Sequence, residues 1–202
     1  WIRSHFLKRN WVMYLLVFVA GSASLATEVT ASRLVGPFFG TSVLIWAVLI
    51  GNTLVYLTIG YALGGRLADR SPQEGTLYKI AALAGFCIGM VPFLARPILL
   101  ASISGFETYD AGVLAGSLIG FNLLFAAPLI LLGMVSPFAI RIAMGAVNKA
   151  GNAAGSVYAL STLGSIVGAY APVFLVTPRI GADATFLVFA GLLLLTSLWG
   201  ML

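Results

Sequence analysis

The chain has 202 residues, of which 60% are hydrophobic and only 8% charged, and its 11 Lys and Arg against 6 Asp and Glu give a formal charge of +5. A soluble domain of this length carries roughly 25% charged residues, so these few charges cannot clothe a water-facing surface, and a soluble enzyme is excluded. The basic residues sit in short loops between apolar runs, with no basic run interleaved with aromatics. That argues against a nucleic-acid partner and leaves anionic lipid headgroups as the counter-charge.

A helix needs about 20 residues to cross the hydrocarbon core, and an open strand would leave backbone groups unpaired in lipid. The expected fold class is therefore an all-α integral membrane protein, one bundle of six transmembrane helices. Residues 1–10 read as a juxtamembrane interfacial segment mixing aromatics with Arg3, His5, Lys8 and Arg9, suited to lying along an interface against a neighbour. His5 is the one histidine; with no companion ligands near it, a headgroup-facing role is favoured over a metal site.

The first span covers 11–36 and is interrupted by Glu28 and Arg33. An ionised carboxylate at depth must pair or sit in a polar cavity. Glu28 is read as a structural tie to Arg33, Ser32 or a neighbouring helix, with an ion or substrate contact as the alternative. The second span, 41–65, carries Asn52. The third, 80–102, carries the lone Cys87, read as a buried inert thiol, and is expected to break near Pro92 and Arg96-Pro97. A half-span there would flip the C-terminus. The fourth, 111–140, carries Asn122 and is expected to kink between Pro128 and Pro137. Asn52 and Asn122 are read as interhelical hydrogen bonds. The fifth span covers 152–176 and the sixth 184–202.

Loop charge sets the orientation. Arg3, Lys8, Arg9, Arg66, Arg70, Lys79, Arg141 and Lys149 fall on one side, and Arg33, Arg96 and Arg179 on the other. The positive-inside rule places the N-terminus, and with six spans the C-terminus, in the cytoplasm of a multi-pass inner (cell) membrane protein. Four Gly-x-x-x-Gly pairs, Gly60/Gly64, Gly85/Gly89, Gly116/Gly120 and Gly164/Gly168, fall in four different spans. Without Cβ atoms on one helical face, a partner helix can approach closely, so these pairs predict tight internal packing.

No phosphate-binding loop, Cys/His metal set or Ser-His-acid combination is present. The expectation is no catalytic residue, cofactor or metal in this chain. The sequence opens at Trp1 without a Met or a cleavable signal and stops inside the apolar run Leu192 to Leu202, which reads as a piece of a longer protein.

Several stretches carry a resemblance. Ala23-Ser24-Leu25-Ala26-Thr27-Glu28-Val29 with Arg33-Leu34 resembles the opening helix of membrane-bound spermidine synthase-like proteins, the integral polyamine aminopropyltransferases. The stretch from Gly60 to Arg70 resembles their second span and cytoplasmic turn, with Arg66, Asp69 and Arg70 in the turn. Leu131 to Pro137 is similar to their kinked helix. Gly155 to Ala169, followed by Pro178 and Gly181, is the fullest match.

The resemblance implies a membrane bundle ahead of a cytoplasmic domain that transfers an aminopropyl group from decarboxylated S-adenosylmethionine to putrescine. It implies contact with those substrates only through that domain, which this chain does not include. The expected function is a membrane anchor or accessory subunit without catalysis of its own, with the lipid bilayer and other membrane subunits as partners. Two alternatives stand beside it. One is an accessory subunit of a larger bioenergetic membrane complex. The other is half of a major-facilitator-like polyamine transporter, since Gly65 to Arg70 also resembles the Gly-x-x-x-Asp-Arg turn of that family. Here the turn continues Ser71-Pro72-Gln73-Glu74 instead of with Gly and further basic residues.

Overall fold

The computed structural model describes the backbone of residues 2–109, 112–146 and 150–202, and the side chains of 11–102, 115–145 and 150–202. The described residues form helices and no strand: α1 (Ile2–Phe39), α2 (Val43–Arg70), α3 (Glu74–Tyr109), α4 (Gly112–Ala146), α5 (Ala150–Ala171), a π-helical turn (Pro172–Val176) and α6 (Thr177–Met201). Five helical stretches are long and apolar enough to cross a membrane: Trp11–Phe39, Val43–Arg70, Glu74–Ser102, Ala115–Gly145 and the run Ala150–Met201. Large apolar side chains such as Leu54, Phe86, Phe93, Leu123, Phe174 and Leu195 stand on the outside of the bundle. Lipid is the solvent that such a surface suits.

The break expected in the third span near Pro92 and Arg96-Pro97 does not occur. α3 runs unbroken through Pro92 and Pro97, and α4 through Pro128 and Pro137. Each proline removes one N–H from the ladder, but packed neighbours and small local adjustments accommodate that inside a membrane bundle.

The backbone departs from α-helical geometry further along, where a loop between fifth and sixth spans was expected. Pro172 opens a π-helical turn closed by the Thr177 N–H donating to the Pro172 carbonyl. At Gly181 the backbone leaves helical geometry (φ 82°, ψ 172°). The Thr185 hydroxyl reaches back to the Gly181 carbonyl at 2.6 Å and lies 3.0 Å from the Thr177 hydroxyl, tying the two sides of the break together.

The α1–α2 connection is tight for local reasons. Gly40 takes a positive φ of 81°, and its N–H closes on the Gly36 carbonyl at 2.8 Å, a glycine stop signal. Two residues later the Ser42 hydroxyl accepts from the Ile45 N–H at 3.4 Å and caps α2.

α1 and α4 are the central helices. Their apolar stretches are more buried than those of α2 and α3. α4 packs on α2, α3, α1 and α5, and α1 packs on both α5 and α6. Tyr56, Phe121, Phe125 and Phe186 form a row of rings with centroid spacings of 6.4, 4.7 and 6.0 Å, linking α2, α4 and α6 through the core. Such contacts add about 0.5–1.5 kcal/mol each beyond burial.

Glycines make the closest helix approaches. A Cβ on Gly60 would meet the Ile130 carbonyl, and one on Gly64 would lie 2.6 Å from the Met134 Cα. The opposing Gly133 faces Leu57 and Gly60 in turn, so α2 and α4 touch backbone to backbone. Gly164 and Gly168 press on the Phe18 and Ser22 carbonyls of α1, and Gly21 presses on the Ser161 carbonyl of α5. The Ser165 hydroxyl donates to the Gly21 carbonyl at 3.2 Å across the same joint. Gly85 sits against Ala190 and Leu194, while Gly200 faces the Tyr78 ring, so α3 and α6 run antiparallel. Gly120 faces Leu99 and Ser102 of α3. Gly89 meets only the Ala190 Cβ at ordinary contact, 3.5 Å, and Gly116 is buried on α4.

Candidate functional site

Polar residues mark two places, one at each end of the bundle. At the end where α2 and α4 finish, Asp69 and Arg141 form an ion pair, Nε to Oδ1 3.1 Å. The α2 stretch ending Arg66-Leu67-Ala68-Asp69-Arg70 directs Asp69 towards α4, one turn past the glycine joint. The aspartate stays 73% exposed, so the pair contributes about 1 kcal/mol or less and mainly sets the relation of the two helix ends. Arg66 and Arg70 are exposed beside it. Trp11 and Trp199 meet edge to face, 6.0 Å apart and both exposed, where α1 enters and α6 leaves the bundle. Exposed tryptophans of this kind suit a membrane–water interface.

At the opposite end a cleft of about 660 Å³ opens where α1 turns into α2. Val29, Ser32, Arg33 and Gly36 form one wall, Ile45, Trp46 and Leu49 the other, and Val173 of the π-helical turn closes one side. The cleft follows from the local sequence. The Gly40–Ser42 turn is short enough to hold the helices side by side at its base, and Gly36 removes a side chain from the wall between them.

The cleft is mostly apolar. Its one charged side chain is Arg33, which is exposed. The Ser32 hydroxyl is engaged with the Val29 carbonyl of its own helix at 2.8 Å.

Glu28 does not make the tie expected with Arg33 or Ser32. It is half-buried, and among the described residues it pairs neither with Arg33 nor with Ser32. A five-residue spacing turns Arg33 about 140° around the helix from Glu28, so the two cannot meet on one face. Nor does Glu28 line the cleft, although Val29 beside it does.

Asn122 does not bridge helices either. Its amide donates to the Leu118 carbonyl one turn back in α4, at 2.6 Å. Asn52 is half-buried on α2 and makes no interhelical hydrogen bond among the described residues. Cys87 is a free, half-buried thiol on α3. The side chains of Arg3, His5, Lys8, Arg9 and Lys149 lie outside the described residues.

Sequence reasoning passed over Trp46 and Thr41 in the cleft, and over the partner glycines Gly21 and Gly133. It also passed over the buried hydroxyls of Thr27, Thr30, Thr53 and Tyr56, which have no hydrogen-bond partner among the described residues. Threonine and tyrosine inside a hydrophobic run were the available signal for the last group. Among the described residues no three His, Cys, Asp or Glu side chains gather as a metal site would need. Comparison with family models, curated proteins and solved structures finds no match to this chain.

Proposed function

We propose that this chain is the membrane domain of an aminopropyltransferase-like protein or assembly. It spans the inner membrane six times with both ends in the cytoplasm and holds catalytic machinery there without taking part in the chemistry. The observation that carries the reading is where the family-like residues go. Gly60 and Gly64, Gly133, and Gly164 and Gly168 belong to three of the stretches that resemble membrane-bound spermidine synthase-like proteins, and all five make helix joints. The resemblance is thus concentrated in the framework of the bundle.

Two features support six passes. A straight 52-residue helix over Ala150–Met201 would measure about 78 Å, more than twice the hydrocarbon thickness of about 30 Å. The break at Gly181, with both α5 and α6 packed on α1, supports reading that run as two passes. The distribution of eight Lys and Arg against three then orients the bundle. The polyamine-transporter reading needs several intramembrane acids facing a path for a polycation, and Glu28 alone does not meet that need.

The purified 202-residue bundle is expected to give no turnover with decarboxylated S-adenosylmethionine and putrescine. Membranes extracted in mild detergent from cells expressing the whole gene in its native context are expected to turn these substrates over. Turnover by the bundle alone would refute the non-catalytic reading. Inactive native extracts, with native mass analysis finding no aminopropyltransferase-type polypeptide attached, would refute the aminopropyltransferase association.

A further inference from the structure

We propose that the cleft at the α1–α2 turn is a seat for one anionic phospholipid, with the headgroup phosphate on Arg33 and an acyl chain laid between the two helices. The inference needs the bundle to lie in a membrane and does not depend on which side the termini face.

Depth is the first support. The cleft lies at the C-terminal end of the α1 span Trp11–Phe39 and the N-terminal end of the α2 span Val43–Arg70, which is headgroup level for a helix crossing the bilayer. Shape is the second. The walls are apolar side chains, Val29, Ile45, Leu49 and Val173, around about 660 Å³. That is a concavity on the scale of ligand pockets generally, and it is open at the turn.

Charge is the third support. Arg33 is the one charged side chain of the lining, and among the described residues no carboxylate pairs with it. An exposed guanidinium at headgroup depth presents a planar fork that matches phosphate oxygens. Trp46, also exposed, stands on the facing wall, and an indole is amphipathic enough to lie at the same level.

An arginine that merely snorkels to passing headgroups would hold no particular lipid. A cleft with an apolar wall behind the cation should hold one molecule through purification. The seat calls for an anionic headgroup because the cleft supplies one uncompensated cation and no acid for the amine of a zwitterionic lipid. Inorganic phosphate shares the headgroup chemistry but has no chain for the apolar walls.

The test is native mass spectrometry of the full chain in phosphatidylcholine nanodiscs doped with phosphatidylglycerol. One retained phosphatidylglycerol per chain is expected. Arg33→Ala should weaken retention about fivefold, the effect of one cation near a membrane surface. Arg96→Ala, an exposed arginine outside the cleft, should leave it unchanged.

Val29→Trp fills the cleft while keeping Arg33, and it should also lose the lipid; circular dichroism verifies that each variant is folded. Added inorganic phosphate should fail to displace the lipid. Equal retention of phosphatidylglycerol by the wild-type chain and Arg33→Ala would overturn the proposal. So would equal loss in Arg96→Ala, displacement by phosphate alone, or unchanged retention in a folded Val29→Trp.

Discussion

Gly168→Leu is expected to open the joint between α1 and α5 and to be the most damaging single substitution in the chain. A Cβ at this position would meet the Ser22 carbonyl, and one at Gly164 the Phe18 carbonyl. Both obstacles are backbone, so no rotamer change relieves them and the helices must part. Parting them also breaks the hydrogen bond from the Ser165 hydroxyl to the Gly21 carbonyl, and it leaves Gly21 without its close contact at Ser161.

In lipid the loss is not offset by hydrophobic collapse, because packing itself supplies the association energy. Overpacking a filled site costs about 1–3 kcal/mol and sometimes more, and this site lies at the upper end because the clash is with main chain. Gly155→Leu is the control. It sits on the same helix, and nothing lies within 4 Å of the Cβ position, so it should be close to neutral. Equilibrium unfolding in mixed micelles, followed by circular dichroism, compares the two. Equal midpoints would show that the joint does not hold the bundle together.

Gly181→Val is expected to be the second large effect, through conformation instead of contact. Gly181 has φ 82° and ψ 172°, a combination essentially reserved for glycine, yet nothing lies within 4 Å of its Cβ position. A valine would fit in space and be strained in backbone. Holding a residue in such a region costs of order 1–3 kcal/mol, with a β-branched side chain at the upper end.

The chain could escape the strain by extending the helix through residue 181, which would pull α6 away from α3 and separate Gly85 from Ala190 and Leu194. Disulfide trapping between cysteines placed at Gly89 and Ala190, whose Cβ positions lie 3.5 Å apart, reads this directly, in a Cys87→Ser background. It should form readily in the parent and poorly with Gly181→Val. Unchanged trapping would show that Gly181 does not set the fold-back.

The elements legible in the sequence were those whose signal is composition over a long window. Long apolar runs flanked by basic loops marked the helices, and all four glycine pairs fell on helices, with Gly60/Gly64 and Gly164/Gly168 at backbone-to-backbone joints. The partner glycines were less legible. Gly21 and Gly133 stand alone in sequence, and their role exists only opposite Gly164/Gly168 and Gly60/Gly64.

Pro92 and Pro97 misled for a physical reason. Pro92, Pro97, Pro128 and Pro137 carry a strong local breaking tendency, but packing kept α3 and α4 continuous. The actual departure from helix fell to Gly181, where a positive φ leaves no trace in hydropathy. Glu28 and Arg33 were legible as costly charges. Their helical spacing already argued against pairing them. The cleft at Arg33 was not legible, because it depends on how α1 and α2 stand after the Gly40–Ser42 turn.

On the six-pass reading the long helical run after Ala150 crosses the membrane twice. Single cysteines at Thr41, Ser71, Asp183 and Leu202, in a Cys87→Ser background and probed in intact cells with a membrane-impermeant maleimide, test it most directly. Six passes predict labelling at Thr41 and Asp183 and protection at Ser71 and Leu202. Labelling of Leu202 together with Thr41 would contradict it, leaving five passes and the two ends of the chain on opposite sides of the membrane.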